Sequence, residues 1–195
     1  TLPPTLPPMH SPATDRLHSL IREVPDFPKK GISFKDFTPL LQDAAALAMA
    51  VELMANPFRG GADPGPGEPA PGVDIVVGAE SRGFIFGTAL AQALSAGFVP
   101  VRKPGKLPYR TRSVSYALEY GTDTIEIHAD AIRPGQRVLL VDDLLATGGT
   151  LEACAKLVQE LQGRIVGLTV LIELTALNGR ARLNRYGRVH SVLTC

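Results

Sequence analysis

The stretch Val138–Thr150, VLLVDDLLATGGT, constrains the fold of this chain more than any other. Four consecutive aliphatic residues, Val138 to Val141, read as a strand buried on both faces, since a strand with one wet face would alternate apolar and polar residues. That strand, expected over 137–143, delivers Asp142 and Asp143 to its carboxyl end. Ala146-Thr147-Gly148-Gly149-Thr150 then turns the chain into a helix. The helix, expected over 150–163, is amphipathic through Leu151, Cys154, Leu157, Val158 and Leu161, and Gly163 is placed to stop it.

The same alternation continues on both sides. VDIVVGA (73–79) is a second apolar run ending in glycine and alanine, FIFGTALAQALSA (84–96) reads as a helix, GFVPVR (97–102) as a strand, and RIVGLTVLIEL (164–174) as the strand closing the series. Strands alternating with helices imply an α/β protein with a mainly parallel sheet flanked by helices, and ligands bind such sheets at the carboxyl ends of the strands. Upstream, Ser11-Pro12 opens a helix expected near 12–24, with Leu17, Leu20, Ile21 and Val24 toward the core, and good helix formers fill a second one over 42–55. Residues 57–72 hold ten glycines and prolines and predict neither helix nor strand, so they are read as a surface insertion rather than a boundary. The 195 residues then form a single domain, 1–195, opening on a loose proline-rich tail over 1–11.

Composition narrows the partners. A formal net charge of +1 suits neither a nucleic-acid coat nor a polybasic membrane binder, so any anion site must come from local clustering. No apolar run of signal-peptide length opens the chain, and Cys154 and Cys195 share no CxxC spacing; both observations point to the cytoplasm. Histidines 10, 18, 128 and 190 show no ligand spacing.

Three stretches carry chemistry. At 146–150, glycines let backbone N–H groups converge, the helix start adds partial positive charge, and two threonine hydroxyls can donate: a cradle for a phosphate monoester. Asp142 and Asp143 stand too near that anion to bind it, so their partners are hydroxyl donors or a divalent cation, and a sugar phosphate supplies the former. The chain has neither G-x-x-x-x-G-K-[ST] nor G-x-G-x-x-G, which argues against ATP hydrolysis and dinucleotide binding. Next, Glu80-Ser81-Arg82-Gly83 follows the strand at 73–79 and offers a guanidinium, a hydroxyl and free amides to a second anion. Last, RKPGKLPYRTR places Arg102, Lys103, Lys106, Arg110 and Arg112 within eleven residues, with Pro104, Gly105 and Pro108 marking a connection that could close over an anion.

An aliphatic strand, Asp-Asp and A-T-G-G-T together resemble the phosphoribosyl pyrophosphate motif of the type I phosphoribosyltransferases. GAESRGFIFG (78–87), RKPGKLP (102–108) and LEYGTDTIEIH (118–128), with FKDFTPLL (34–41) and IELTALNGRARL (172–183), are similar to the adenine phosphoribosyltransferase family in particular, over nearly all of 25–195. The resemblance implies a type I fold with a small hood and a flexible lid loop, acting as a homodimer. It implies the reaction of adenine with phosphoribosyl pyrophosphate to give AMP and pyrophosphate, with Mg2+ as cofactor held mainly through substrate and water. Asp142 and Asp143 would hold the ribose hydroxyls and favour the cationic transition state; Ala146, Thr147, Gly148, Gly149 and Thr150 would anchor the 5′-phosphate. Ser81, Arg82, Arg102, Lys103 and Lys106 would meet the pyrophosphate, some across a dimer interface. Ser33, Phe34 and Lys35 would bind the base, Phe34 by stacking and the backbone around Lys35 by reading its edge. Glu119 would act as general base or electrostatic partner, next to the lid residue Tyr120. Two departures stand out: many relatives carry Arg at position 35, and most lack the 57–72 insertion. Two other readings stay open on the sequence: a phosphoribosyltransferase for hypoxanthine, xanthine or orotate, and a regulatory protein sensing phosphoribosyl pyrophosphate.

Overall fold

The computed structural model describes residues 11–60, 72–117 and 122–195. The chain divides into two compact units, residues 1–50 and 51–195.

The first unit opens with α1 (Pro12–Ser19), whose start is a capping box: the Ser11 hydroxyl accepts from the Thr14 amide, and the Thr14 hydroxyl accepts from the Ser11 amide. α1 is shorter than the expected 12–24. Leu20 caps it, and the chain then enters β1 (Arg22–Pro25), which pairs antiparallel with β2 (Ser33–Asp36). Val24 therefore belongs to a strand, where its β-branched side chain is at ease, and Pro25 at the strand's end rules out a continuing helix. Between the strands, Asp26 takes a φ of 58° and accepts from the Gly31 amide. α2 (Thr38–Gln42) was not anticipated. α3 (Ala44–Ala55) replaces the expected 42–55 helix and starts two residues later, where the Asp43 carboxylate accepts from the Ala46 amide at 2.9 Å.

After α3, Asn56–Phe58 forms a 3-10 turn that runs into the 57–72 segment expected to hold neither helix nor strand; Pro57 suits its first turn. The heart of the second unit is a five-stranded parallel sheet in the order β4-β3-β7-β8-β9. Its strands are β3 (Ile75–Ala79), β4 (Gly97–Val101), β7 (Arg137–Leu145), β8 (Arg164–Glu173) and β9 (Val189–Thr194). Leu139 and Leu140, neighbours on opposite faces of β7, are both fully buried, as the unbroken aliphatic run requires. α4 (Gly83–Ala93) packs on β3, β4 and β7. α5 (Gly149–Glu160) lays Leu151, Cys154, Leu157 and Val158 into the core shared with Val138, Leu140, Leu168 and Val170. Each such apolar side chain contributes about 1.5–3 kcal/mol by leaving water.

Four elements of this unit lie beyond the expected series. β5 (Thr111–Ala117) and β6 (Thr122–His128) form a separate antiparallel pair, and Ile125 and Ile127 of β6 join the core beneath α5. α6 (Gly179–Leu183) leads to β9, so the sheet does not end at β8. Where β3 and β7 start side by side, Asp74 accepts from the Arg137 backbone amide at 2.7 Å and from its guanidinium, which pulls the Asp74 carboxyl down to about 2.

Candidate active site

The carboxyl end of β7 meets the start of α5 in a cleft of about 230 Å3, lined by Glu80, Arg82 and the continuous run 142–151. Each part is there for a local reason. β7 continues two residues past the expected end, so Asp142 and Asp143 stand on the strand itself, held by pairing to β8. Gly148 takes a φ of 80°, a left-handed conformation that costs glycine nothing and reverses the chain into α5. The Glu152 amide closes the first turn on the Gly148 carbonyl at 2.9 Å, so the amides of Gly149, Thr150 and Leu151 have no intrahelical acceptor and point their partial positive charge at the helix start.

Gly83 brings the second stretch alongside the first. A Cβ at Gly83 would meet Asp142 Oδ1 at 3.0 Å and the Val141 carbonyl at 3.1 Å, so glycine lets the start of α4 press against β7. Arg82 Nε consequently lies 2.9 Å from Asp143 Oδ2. The contact is one of charge: that oxygen, in a side chain only 4% exposed, takes no aligned hydrogen bond. Asp142 accepts from the Asp143 amide at 2.9 Å. Burial first and the adjoining Asp143 second push the Asp142 carboxyl well above the usual range. The cleft therefore sets two adjacent acids, one of them facing a guanidinium, before a ring of amides.

Glu80 was not among the expected ligands, yet it lines the cleft and ties in the third stretch. Its carboxylate accepts from the Lys103 amide at 2.7 Å and faces Arg102 Nε at 3.3 Å. Burial works to raise the Glu80 carboxyl, but these two partners outweigh it and leave it below the usual range. Arg102 is further fixed by paired backbone hydrogen bonds to Glu126 of β6 at 2.9 and 2.7 Å. The Lys103 ammonium pairs with Asp123, and Lys106 stands exposed in the same turn. Ser81, joined to Glu80 by a cis peptide, is exposed and outside the lining.

A further glycine supports the cradle from below: Gly179, at the start of α6, lies against Ala146 and Gly148. Just beyond it, Arg180 clamps onto the Glu173 carboxylate, the Ser191 hydroxyl at 2.9 Å and the Val189 carbonyl at 2.6 Å, so α6 is anchored to β8 and β9. No local sequence signal pairs positions 146 and 179.

The base-binding candidates Ser33, Phe34 and Lys35 lie on β2 of the first unit. Phe34 meets Phe27 edge-on, with ring centroids 5.1 Å apart and planes at 77°. Lys35 pairs with Glu23, its register partner across the β1–β2 ladder, and Ser33 donates to the same carboxylate at 3.4 Å. That ion pair gives the lysine a cross-strand partner of its own. Glu119 and Tyr120 lie outside the described residues.

No group of three or more His, Cys, Asp or Glu among the described residues could cage a metal. Magnesium seldom asks for such a cage: it keeps waters and takes one or two carboxylates plus substrate phosphates. Asp142 and Asp143, adjacent in the cleft, are two carboxylates of the kind magnesium takes.

Comparison with known proteins agrees with this geometry. A phosphoribosyl transferase domain model matches residues 70–193. The adenine phosphoribosyltransferase of Rhodopirellula baltica is 56% identical over 173 residues, 89% of this chain and 79% of that one. The crystal structure of adenine phosphoribosyltransferase from Rhodothermus marinus superposes with a TM-score of 0.83 at 54% identity, covering 94% of this chain and 98% of that one. That of the Saccharomyces cerevisiae enzyme, complexed with an imino-altritol bisphosphate and adenine, gives a TM-score of 0.81 at 36% identity over 92% and 98% of the two chains. With the Asp-Asp strand end, the glycine-turned helix start and the arginine facing them all in place, the chain belongs to the adenine phosphoribosyltransferases of the phosphoribosyl transferase domain family.

Proposed function

We infer that the chain transfers the 5-phosphoribosyl group of phosphoribosyl pyrophosphate to adenine, giving AMP and pyrophosphate. The observation that carries this reading is the convergence of Asp142, Asp143, Arg82 and the amides that start α5 in one cleft.

The cleft divides by charge. The amides of Gly149, Thr150 and Leu151, with the Thr147 and Thr150 hydroxyls, take the 5′-phosphate, a remote handle that positions the anomeric carbon. Asp142 and Asp143 hold the ribose hydroxyls, and their negative potential favours the cationic character that grows on the ribose as the bond to pyrophosphate stretches. Arg82 stands where the leaving group's charge collects, supported by Arg102, Lys103 and Lys106 from the basic turn. Magnesium, when bound, offsets the charge of the departing pyrophosphate. Phe34 presents a flat apolar ring to the purine, and Glu119 serves as general base or electrostatic partner for the ring proton that adenine loses as it attacks.

The wider setting follows the same reading. A homodimer is proposed as the working form, with basic residues of the 102–112 segment reaching a neighbouring site. The cytoplasm is proposed on the two cysteines, Cys154 and Cys195, which share no CxxC spacing and suit a reducing compartment.

Adenine, hypoxanthine, guanine, xanthine and orotate, each incubated with the protein, phosphoribosyl pyrophosphate and magnesium, test the reading by the nucleotide formed. AMP with adenine and no nucleotide with the others is expected. A different nucleotide overturns the base assignment, and none at all overturns the reaction.

A further inference from the structure

We propose that Asp123 is a positioning residue for the leaving-group end of the site: its carboxylate holds the Lys103 ammonium in place of the pyrophosphate anion and yields it when pyrophosphate arrives. The inference rests on reading the cleft as a phosphoribosyl pyrophosphate site, and it adds to that reading a residue that sets how tightly the leaving group is held.

Lys103 Nζ pairs with Asp123 Oδ2 across twenty residues of sequence, joining the basic turn to β6. The Tyr116 hydroxyl on β5 donates to the same oxygen at 3.2 Å, and 3.3 Å away on its other side lies Thr150 Oγ1, in the first turn of α5. Asp123 thus stands where the basic turn, the β5–β6 pair and the phosphate cradle meet. The Lys103 ammonium and the Thr124 amide both hold its carboxyl below the usual range.

Two other cations expected to meet pyrophosphate show the same arrangement, Arg82 facing Asp143 at 2.9 Å and Arg102 facing Glu80 at 3.3 Å. Those two carboxylates line the cleft and have other work there. Asp123 does not line it, and its geometry serves Lys103 directly. With side chains 42% and 23% exposed, the pair is screened by water. Such a pair fixes the direction of a flexible ammonium but is weak enough for a multiply charged anion to displace. A stand-in anion of this kind keeps Lys103 aimed before substrate binds and competes with pyrophosphate afterward, which speeds its departure.

The test is titration of the full-length protein with pyrophosphate and magnesium by calorimetry, for wild type, Asp123→Asn, Asp123→Glu, Lys103→Ala and the Lys103→Ala/Asp123→Asn double variant. Removing the competing carboxylate should tighten pyrophosphate binding by about two- to fivefold, the range of an exposed pair. It should lower KM for phosphoribosyl pyrophosphate in step while KM for adenine stays unchanged, and Asp123→Glu should restore wild-type values. In the Lys103→Ala background, Asp123→Asn should have no effect, because the competition acts through that ammonium alone. Unchanged or weaker pyrophosphate binding in Asp123→Asn overturns the inference and leaves Asp123 as a brace of the β5–β6 pair. So does a tightening that persists without Lys103, the mark of a general charge effect. If wild type forms no AMP, the reading of the cleft itself fails; if wild type forms AMP and Asp123→Asn matches it in pyrophosphate affinity, only the role of Asp123 fails.

Discussion

Gly179 lies so close beneath Ala146 that a methyl group on its α-carbon would stand 2.1 Å from the Ala146 carbonyl oxygen and 3.0 Å from the Gly148 amide nitrogen. Both of those are backbone atoms of the turn proposed to cradle the 5′-phosphate, and the reverse holds too: a Cβ at Gly148 would meet the Gly179 carbonyl at 2.9 Å. The cradle is therefore a pair of glycine turns stacked on one another, with α6 anchored through Arg180 and Glu173.

Gly179→Ala should displace the cradle rather than remove any ligand. Overpacking of this kind costs about 1–3 kcal/mol of stability. A shift of a few tenths of an ångström at the 5′-phosphate should lower kcat/KM for phosphoribosyl pyrophosphate by about tenfold or more, since a 1 Å misplacement is worth on the order of a hundredfold. Urea unfolding and steady-state kinetics on the variant check both, with KM for adenine unchanged.

Asp142 should oppose stability while serving function. Burial and the adjoining Asp143 raise its carboxyl well above the reference value of 3.8, with Arg82 opposing weakly. A group whose folded value is raised binds more protons in the folded state than in the unfolded. The fold therefore bears no penalty below 3.8 and loses stability as pH rises from there toward the folded value. Asp142→Asn should accordingly raise the unfolding midpoint of the ligand-free protein at neutral pH, a gain that shrinks as pH is lowered toward the reference value, even as AMP formation falls. Thermal unfolding of both proteins across pH measures it. A midpoint that drops at neutral pH would contradict the assignment.

Phe34 should matter to the base and little to the fold. It is half-buried and touches Phe27 by an edge. Base stacking on an aromatic ring is worth about 1–3 kcal/mol, so Phe34→Ala should raise KM for adenine by roughly fivefold to a hundredfold. KM for phosphoribosyl pyrophosphate should change little, and initial-rate kinetics with each substrate varied in turn separate the two.

What was legible in the sequence was whatever rests on neighbours along the chain. The aliphatic run at 138–141, the Asp pair and the glycine-turned helix start all declare themselves within thirteen residues, and the cleft is built from them. β5 and β6 escaped because Thr111–Ala117 and Thr122–His128 mix threonine, serine and charge with only Val114, Tyr116, Ala117, Ile125 and Ile127 as apolar signals. β9 escaped because VHSVLT is an edge strand with few apolar residues; Val189 and Leu193 supply its buried positions. Val24 read as helical because its spacing from Leu17, Leu20 and Ile21 fits a helix face, whereas pairing with Phe34 across a ladder decides its state. Contacts distant in sequence left no trace at all: Ala146 with Gly179, Arg82 with Asp143, Lys103 with Asp123.

The central claim is that ribosyl transfer takes place in the cleft at the carboxyl end of β7. Its most direct test is the rate of AMP formation from adenine, phosphoribosyl pyrophosphate and magnesium by Asp142→Asn/Asp143→Asn beside wild type, with circular dichroism to show that the fold is kept. Loss of preorganised charge at the reacting carbon should lower kcat by about a hundred- to a thousandfold in a protein that remains folded. A folded double variant that forms AMP at the wild-type rate would contradict the account.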